Sequence, residues 1–266
     1  MAHQVTAGRA NARHPHELRP LKVAYDVYPY ASGSTLFEMG NTKILCSVTV
    51  QAGVPHFMRG KGNGWLTAEY SMLPASTPVR TVREAAAHKR SGRTIEISRL
   101  LGRSLRAVTR LAGMGEHTIF VDCDVVQADG STRTACVTAA YLALKAAEAK
   151  WIASGFIKGP LLTEEVAAVS VGVTVQQQVL LDIDYAEDST IGADFNFVMT
   201  RSQKIIEIQG AAEALPVPLP LYDELQKVAF KGLDELFLFC DEHRFVPNAL
   251  PLPLQAQRPA RVAYEQ

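Results

Sequence analysis

The chain lacks the marks of a membrane or secreted protein. No apolar run approaches the ~18 residues that suggest a membrane span. The opening MAHQVTAGRANARHPHELRP is polar and carries no apolar h-region, so no secretory signal is expected and a cytoplasmic setting is. Cysteine is scarce: the 4 present, Cys46, Cys123, Cys136 and Cys240, stand far apart and form no CxxC pair. They read as reduced, mostly buried thiols of a cytoplasmic protein. Neither GxxxxGKS nor GxxxxGKT occurs, which argues against a Walker-type NTPase. Net charge is missing as well, with 27 Lys and Arg against 27 Asp and Glu. Attraction to a polyanion has to come from a local patch.

One such patch is present. Between Arg80 and Arg110 stand nine basic residues (Arg80, Arg83, Lys89, Arg90, Arg93, Arg99, Arg103, Arg106, Arg110) against Glu84 and Glu96. Otherwise the composition is that of an ordinary soluble enzyme, with 266 residues, 47% hydrophobic and 20% charged. STLFEMGNTKILCSVTVQ reads as two strands joined by a Gly40-Asn41 turn. GWLTAEYSML reads as a strand after the loop RGKGNG. IEISRLLGRSLRAVTRL has helical spacing, with Ile97, Leu101, Leu105 and Val108 near one face. EHTIFVDCDVVQ alternates as a strand, and TACVTAAYLALKAAEAKWIAS is a long alanine-rich helix. Four strands follow in AAVSVGVTV, QVLLDIDY, DFNFVMT and KIIEIQG, then a last helix in LYDELQKVAFKGLDELFLFCDEH. Strands in groups with helices between them predict an α+β fold of mixed sheets packed with helices. No long linker divides the chain, so one domain is expected over 1–244, followed by a proline-rich tail over 245–266.

LLDIDYAEDS, from Leu180 to Ser189, follows apolar residues with four carboxylates: Asp182, Asp184, Glu187 and Asp188. Asp182 and Asp184 read as part of a buried strand, so that Val179, Leu181 and Ile183 face one way and Leu180, Asp182 and Asp184 the other. Asp188 lies just past the strand end and can turn back. Oxygen ligands of this kind suit Mg²⁺ or Mn²⁺, and Mg²⁺ typically binds through one or two carboxylates plus substrate phosphates. An acidic turn after an edge strand is the plainer reading.

SGRTIEI and GSTRTAC each set an Arg-Thr pair ahead of an expected helix. Thr94 in the first, and Ser131, Thr132 or Thr134 in the second, are N-cap candidates. A helix N-terminus offers free N–H groups and a positive dipole end to phosphate, and an arginine fork adds to it. Arg93 and Arg133 can therefore build one anion site, or can simply flank two capped helix starts. Arg99, Arg103, Arg106 and Arg110 are spaced as one stripe, open to RNA, to a partner subunit or to solvent.

At these residues the sequence resembles the ribonuclease PH family of phosphorolytic 3′ exoribonucleases. The resemblance runs from Gly8 to Glu213 through GRANARHPHELRP, GNTKILCSV, GVPHFMRGKGNGWLTAEYSMLP, REAAAHKRSGRTIEISRLLGRSLRA, DCDVVQADGSTRTA, AAVSVGV, DIDYAEDS, DFNFVMT and IIEIQGAAE. It implies a homo-hexameric ring, a trimer of dimers, in which orthophosphate attacks the last phosphodiester of RNA and releases a nucleoside diphosphate. The implied substrate is the 3′ extension of precursor tRNA. The resemblance places phosphate on Arg93, Ser131, Thr132 and Arg133, catalysis and metal on Asp182 and Asp188, and RNA on Arg80 and Arg83 of LPASTPVRTVRE. Two departures stand out. Ser131 replaces the second glycine of the usual Gly-Gly-Thr-Arg, which strains the backbone if that position needs φ above zero. Ala75 stands where the RNA loop often has arginine. The competing readings are a metal-dependent hydrolytic ribonuclease, against which the paired phosphate arginines speak, and a catalytically silent RNA-binding ring subunit, which loss of those arginines or aspartates would signal.

Overall fold

In this computed structural model the described residues are 9, 12–87, 89–214 and 216–247. Runs of β-branched and aromatic residues build two sheets. The first holds β1 (Leu21–Tyr25), β2 (Gly33–Met39), β3 (Thr42–Ala52), β4 (Trp65–Met72) and β5 (His117–Gln127) in the order β1-β2-β3-β5-β4. Its neighbours are antiparallel except β4 and β5, which run parallel. The β2–β3 turn needs Gly40, whose φ is +57°. The second sheet is antiparallel, with β6 (Val166–Val173), β7 (Val179–Leu181), β8 (Ala193–Thr200) and β9 (Ile205–Ala212) in the order β7-β6-β8-β9.

The helices are α1 (Glu84–Ala87), α2 (Gly92–Ala107), α3 (Thr132–Ala153), α4 (Tyr185–Asp188) and α5 (Leu219–Glu242). α3 packs on β2 and β3 of one sheet and on β6 of the other. A helix enclosed on both sides has no polar face to present, and every residue from Thr134 to Leu144 is buried. Its alanines let the strands come close. α2 covers β4, and α5 covers β6 and β7. The apolar core runs unbroken from Leu18 through α3 to Cys240. All four cysteines are free and buried. Among the described residues no helix is long and apolar enough to cross a membrane.

The structure departs from the sequence reading in four places. β7 stops at Leu181, because Asp182 takes a left-handed φ of +52° and leaves the strand. The alternation expected through Asp184 therefore ends before the carboxylates begin. α2 starts at Gly92 with Ser91, not Thr94, as its N-cap, and it ends at Ala107, so Arg110 lies outside the helix. β1 was not anticipated. Of the expected tail, Phe245 packs its ring 5.3 Å from Tyr25, while residues 248–266 lie outside the described residues.

Candidate active site

The turn that enters α3 has an unusual backbone. Gly130 and Ser131 both take left-handed backbone, with φ of +73° and +54°. Ser131 is the N-cap, yet its side chain makes no capping bond. Its Oγ instead donates to the Ile183 carbonyl at 2.8 Å and shares a 2.5 Å bond with Ser170 Oγ. Those bonds offset the strain that a serine meets at this φ. The first N–H groups of α3 are thereby left open at the positive end of a long helix. Thr132, buried, accepts from Arg93 Nη2 at 3.0 Å and lies 3.2 Å from the Tyr70 hydroxyl. Arg93, from the first turn of α2, is thus held beside the start of α3. Arg133 donates through Nη1 to Gln209 Oε1 at 2.8 Å and lies 3.5 Å from Glu96. The two expected phosphate arginines therefore come together, with Thr132 between them.

The carboxylate motif divides into two jobs. Asp182 is 1% exposed and receives the Arg19 side chain in fork geometry, Nη2 to Oδ1 at 2.6 Å and Nε to Oδ2 at 2.9 Å. The Arg19 backbone N–H adds a bond at 2.8 Å, and Arg13 stands 3.5 Å away. Burial alone would raise this carboxyl, but the Arg19 fork holds it below its ordinary range. Arg9 grips Glu187 through two bonds of 2.6 Å, and Arg13 reaches Glu187 at 3.3 Å and Asp184 at 3.7 Å. Asp184 and Glu187 also close a reciprocal capping box on α4. Three arginines of the N-terminal segment thus neutralise Asp182, Asp184 and Glu187. Both Asp182 oxygens accept from Arg19, one bond at Oδ1 and two at Oδ2.

Asp188 is different. It sits at the surface on the last turn of α4, and among the described residues it makes no ion pair. Partial enclosure raises its carboxyl above the ordinary range; Asp194 and Glu213 push the same way, while Arg93 and Arg133 pull it back. Asp188 therefore shares a field with Arg93 and Arg133 and with Asp194, which stands on β8 opposite Gly172. Asp194, six residues past Asp188, was not singled out from the sequence. Its signal was available: it opens DFNFVMT, a charged residue at the head of an apolar strand. Asp194 Oδ2 accepts from Asn196 Nδ2 at 3.4 Å. Among the described residues no cluster of three or more His, Cys, Asp or Glu gathers as a self-sufficient metal cage.

The backbone holds the two halves together. A Cβ on Gly130 would lie 2.5 Å from the Ile183 carbonyl oxygen and 2.7 Å from the Asp184 Cα, so only glycine lets the α3 turn sit against the acidic turn. Thr42 Oγ1 donates to the Gly130 carbonyl at 2.7 Å, and Arg19 Nη1 donates to the Asp129 carbonyl.

Arg80 and Arg83 are exposed in the loop after β4. Arg83 pulls against the burial that raises the Asp124 carboxyl on β5. The arginine stripe is largely committed within the chain. Arg103 pairs with Glu207 in fork geometry at 2.7 and 2.9 Å, Arg106 donates to the Leu66 carbonyl at 2.9 Å, and Arg110 to the Pro160 carbonyl at 2.7 Å. Arg99 is exposed.

The chain is similar to known proteins in sequence and in fold. Residues 17–150 match the model of the 3′ exoribonuclease family, domain 1, and residues 164–232 that of domain 2. The chain is 52% identical over 225 residues to ribonuclease PH of Neisseria meningitidis serogroup B, covering 85% of this chain and 93% of that protein. It is 47% identical over 228 residues to ribonuclease PH of Bacillus subtilis, covering 86% and 93%. Its fold superposes on rice Rrp46 with a TM-score of 0.71 at 20% identity, covering 88% of this chain and 98% of that one. It superposes on an Archaeoglobus fulgidus exosome chain, solved with RNA bound to the active site, with a TM-score of 0.73 at 22% identity, covering 88% and 92%. The chain belongs to the 3′ exoribonuclease family, with the bacterial ribonuclease PH proteins as its relatives.

Proposed function

We propose that this protein shortens RNA from its 3′ end by phosphorolysis, with precursor tRNA as substrate and nucleoside diphosphates as product. One observation carries the reading: Arg93, Arg133 and the open start of α3 converge on the field of Asp188. An anion held there stands beside the carboxylates, as a nucleophilic orthophosphate must. Water, the nucleophile of the hydrolytic alternative, needs no such anion site. The arginines and aspartates are all present, which speaks against a silent ring subunit.

Arg93, Arg133 and the N–H groups of Thr132 and Arg133 orient orthophosphate and share its negative charge. Its oxygen forms a bond to the terminal phosphodiester phosphorus, and the bond from that phosphorus to the neighbouring 3′-oxygen breaks. The leaving 3′-oxygen takes up a proton, which Asp188 is placed to relay. The released nucleotide carries two phosphates, and the RNA ends one residue shorter in a 3′-hydroxyl. Asp182 and Asp188 are the residues that would hold Mg²⁺ or Mn²⁺. That ion supplies charge neutralisation at the scissile phosphate. Arg80 and Arg83 grip the incoming RNA. The working form is a homo-hexameric ring in the cytoplasm, the phosphorolytic unit spans 1–244, and 245–266 form an appended tail.

Incubation of a 3′-tailed tRNA with and without orthophosphate tests this. Nucleoside diphosphates formed only with phosphate are expected. Monophosphates formed equally well without it would replace phosphorolysis with hydrolysis.

A further inference from the structure

Arg133 is held by a side chain that the chemistry above does not use. Glu207 and Gln209 alternate along β9 and so share one face, the one that meets α2. Gln209 Oε1 accepts from Arg133 Nη1 at 2.8 Å. Gln209 Nε2 donates to Glu96 Oε1 and to Glu207 Oε1, each at 3.0 Å. Glu207 is itself fixed by the Arg103 fork, at 2.7 and 2.9 Å. An amide nitrogen has two hydrogens, and here two carboxylates take both. They leave the amide one orientation, with its oxygen towards Arg133.

The neutrality of this partner matters. An arginine gripped by a carboxylate has its charge compensated and offers less to a further anion. Arg133 already lies 3.5 Å from Glu96, so a closer ion pair is one small side-chain turn away. Gln209 bonds to both, its oxygen holding the guanidinium and its nitrogen holding Glu96. It fixes Arg133 without neutralising it. Among the described residues the bonds of Arg133 all use Nη1, which leaves the Nε and Nη2 edge for two phosphate oxygens.

We propose that Gln209, oriented by Glu96 and Glu207, is a positioning residue that keeps Arg133 aimed and free for orthophosphate. Arg103 of the arginine stripe thereby serves the anion site through Glu207. Orthophosphate is the anion only on the phosphorolytic reading above, on which this role of Gln209 rests.

Gln209→Met keeps the side-chain length and removes all three bonds. Orthophosphate is titrated calorimetrically into the free enzyme, and turnover is followed on a 3′-tailed tRNA. Orthophosphate binding should weaken about fivefold or more, and the KM for orthophosphate should rise with it. Saturating phosphate pulls Arg133 back into place, so kcat and the KM for tRNA should stay within about twofold. With Arg133→Ala as background, Gln209→Met should change orthophosphate binding by less than about twofold, because the group it positions is gone. Binding within about twofold of wild type in the single variant would overturn the proposal. So would a loss of the same size in the Arg133→Ala background, which would make Gln209 a general support of the fold. Should Gln209→Met fail to fold, Glu207→Met, which frees the amide to turn, is held to the same two criteria. A wild-type enzyme that releases nucleoside monophosphates without phosphate refutes phosphorolysis, while the calorimetry still decides the role of Gln209.

Discussion

Two aspartates six residues apart, Asp182 and Asp188, differ in what surrounds each. Asp182 is enclosed by Arg19 and Arg13, so its charge is compensated inside the protein. Removing one partner of a buried pair leaves the other uncompensated, at a cost of ~3–5 kcal/mol. Asp182→Asn should therefore lower unfolding stability by about that much at neutral pH. The folded Asp182 carboxyl lies below its unfolded value, so its contribution is complete above roughly pH 4 and fades as pH falls through the folded value. Denaturant titration should show the gap between wild type and Asp182→Asn narrowing on acidification; a gap constant from pH 7 to pH 3 would contradict the pairing. Asp188→Asn should leave stability within about 0.5 kcal/mol and cut turnover on the order of 100-fold or more. Ser131 makes a finer case. Its φ of +54° strains any side chain, while its hydroxyl bonds the Ile183 carbonyl and Ser170. Ser131→Gly loses the bonds and the strain together, whereas Ser131→Ala loses the bonds and keeps the strain. Thermal melts should rank alanine below glycine, by about 1 kcal/mol.

At the scale of elements, the site is a contact between two turns, one entering α3 and one entering α4. Gly130 is where they touch, so Gly130→Ala should separate them. A left-handed alanine with its Cβ against the Ile183 carbonyl should reduce kcat at least tenfold, and phosphate binding should weaken with it, because Thr132 moves with the turn. Unchanged kcat would mean that the turns can part without loss. The same contact explains what the sequence could and could not disclose. Strands and long helices were legible, because alternation and helical spacing are local. Arg93 and Arg133 were legible because each stands at a helix start. The strand through LLDIDY was misread, because alternation presumes an unbroken strand, and the left-handed residue that breaks it, Asp182, is not glycine. Its partners Arg9, Arg13 and Arg19 lie more than 160 residues away, and no spacing rule links them. Asp194 was passed over because a single charge at the head of a strand looks like ordinary edge polarity.

For the molecule as a whole, a neutral chain gathers nine basic residues between Arg80 and Arg110. Single-strand binding should depend on salt through Arg80 and Arg83, and the double alanine variant should flatten the log Kd against log salt slope by roughly 0.7 per lost contact. An unchanged slope would place the RNA elsewhere. A hexameric ring would bring several such loops around one channel, so that weak grips add, which matters where Ala75 supplies no cation. Sedimentation at micromolar concentration should show a species well above the 29.0 kDa chain, and a fully active monomer would rule the ring out as a requirement. Beneath these lies one claim, that the anion held between Arg93 and Arg133 is the nucleophile. Labelled orthophosphate incubated with unlabelled 3′-tailed tRNA tests it most directly. The account predicts the label in the β-phosphate of every nucleoside diphosphate released; unlabelled nucleoside monophosphates as the product would contradict it.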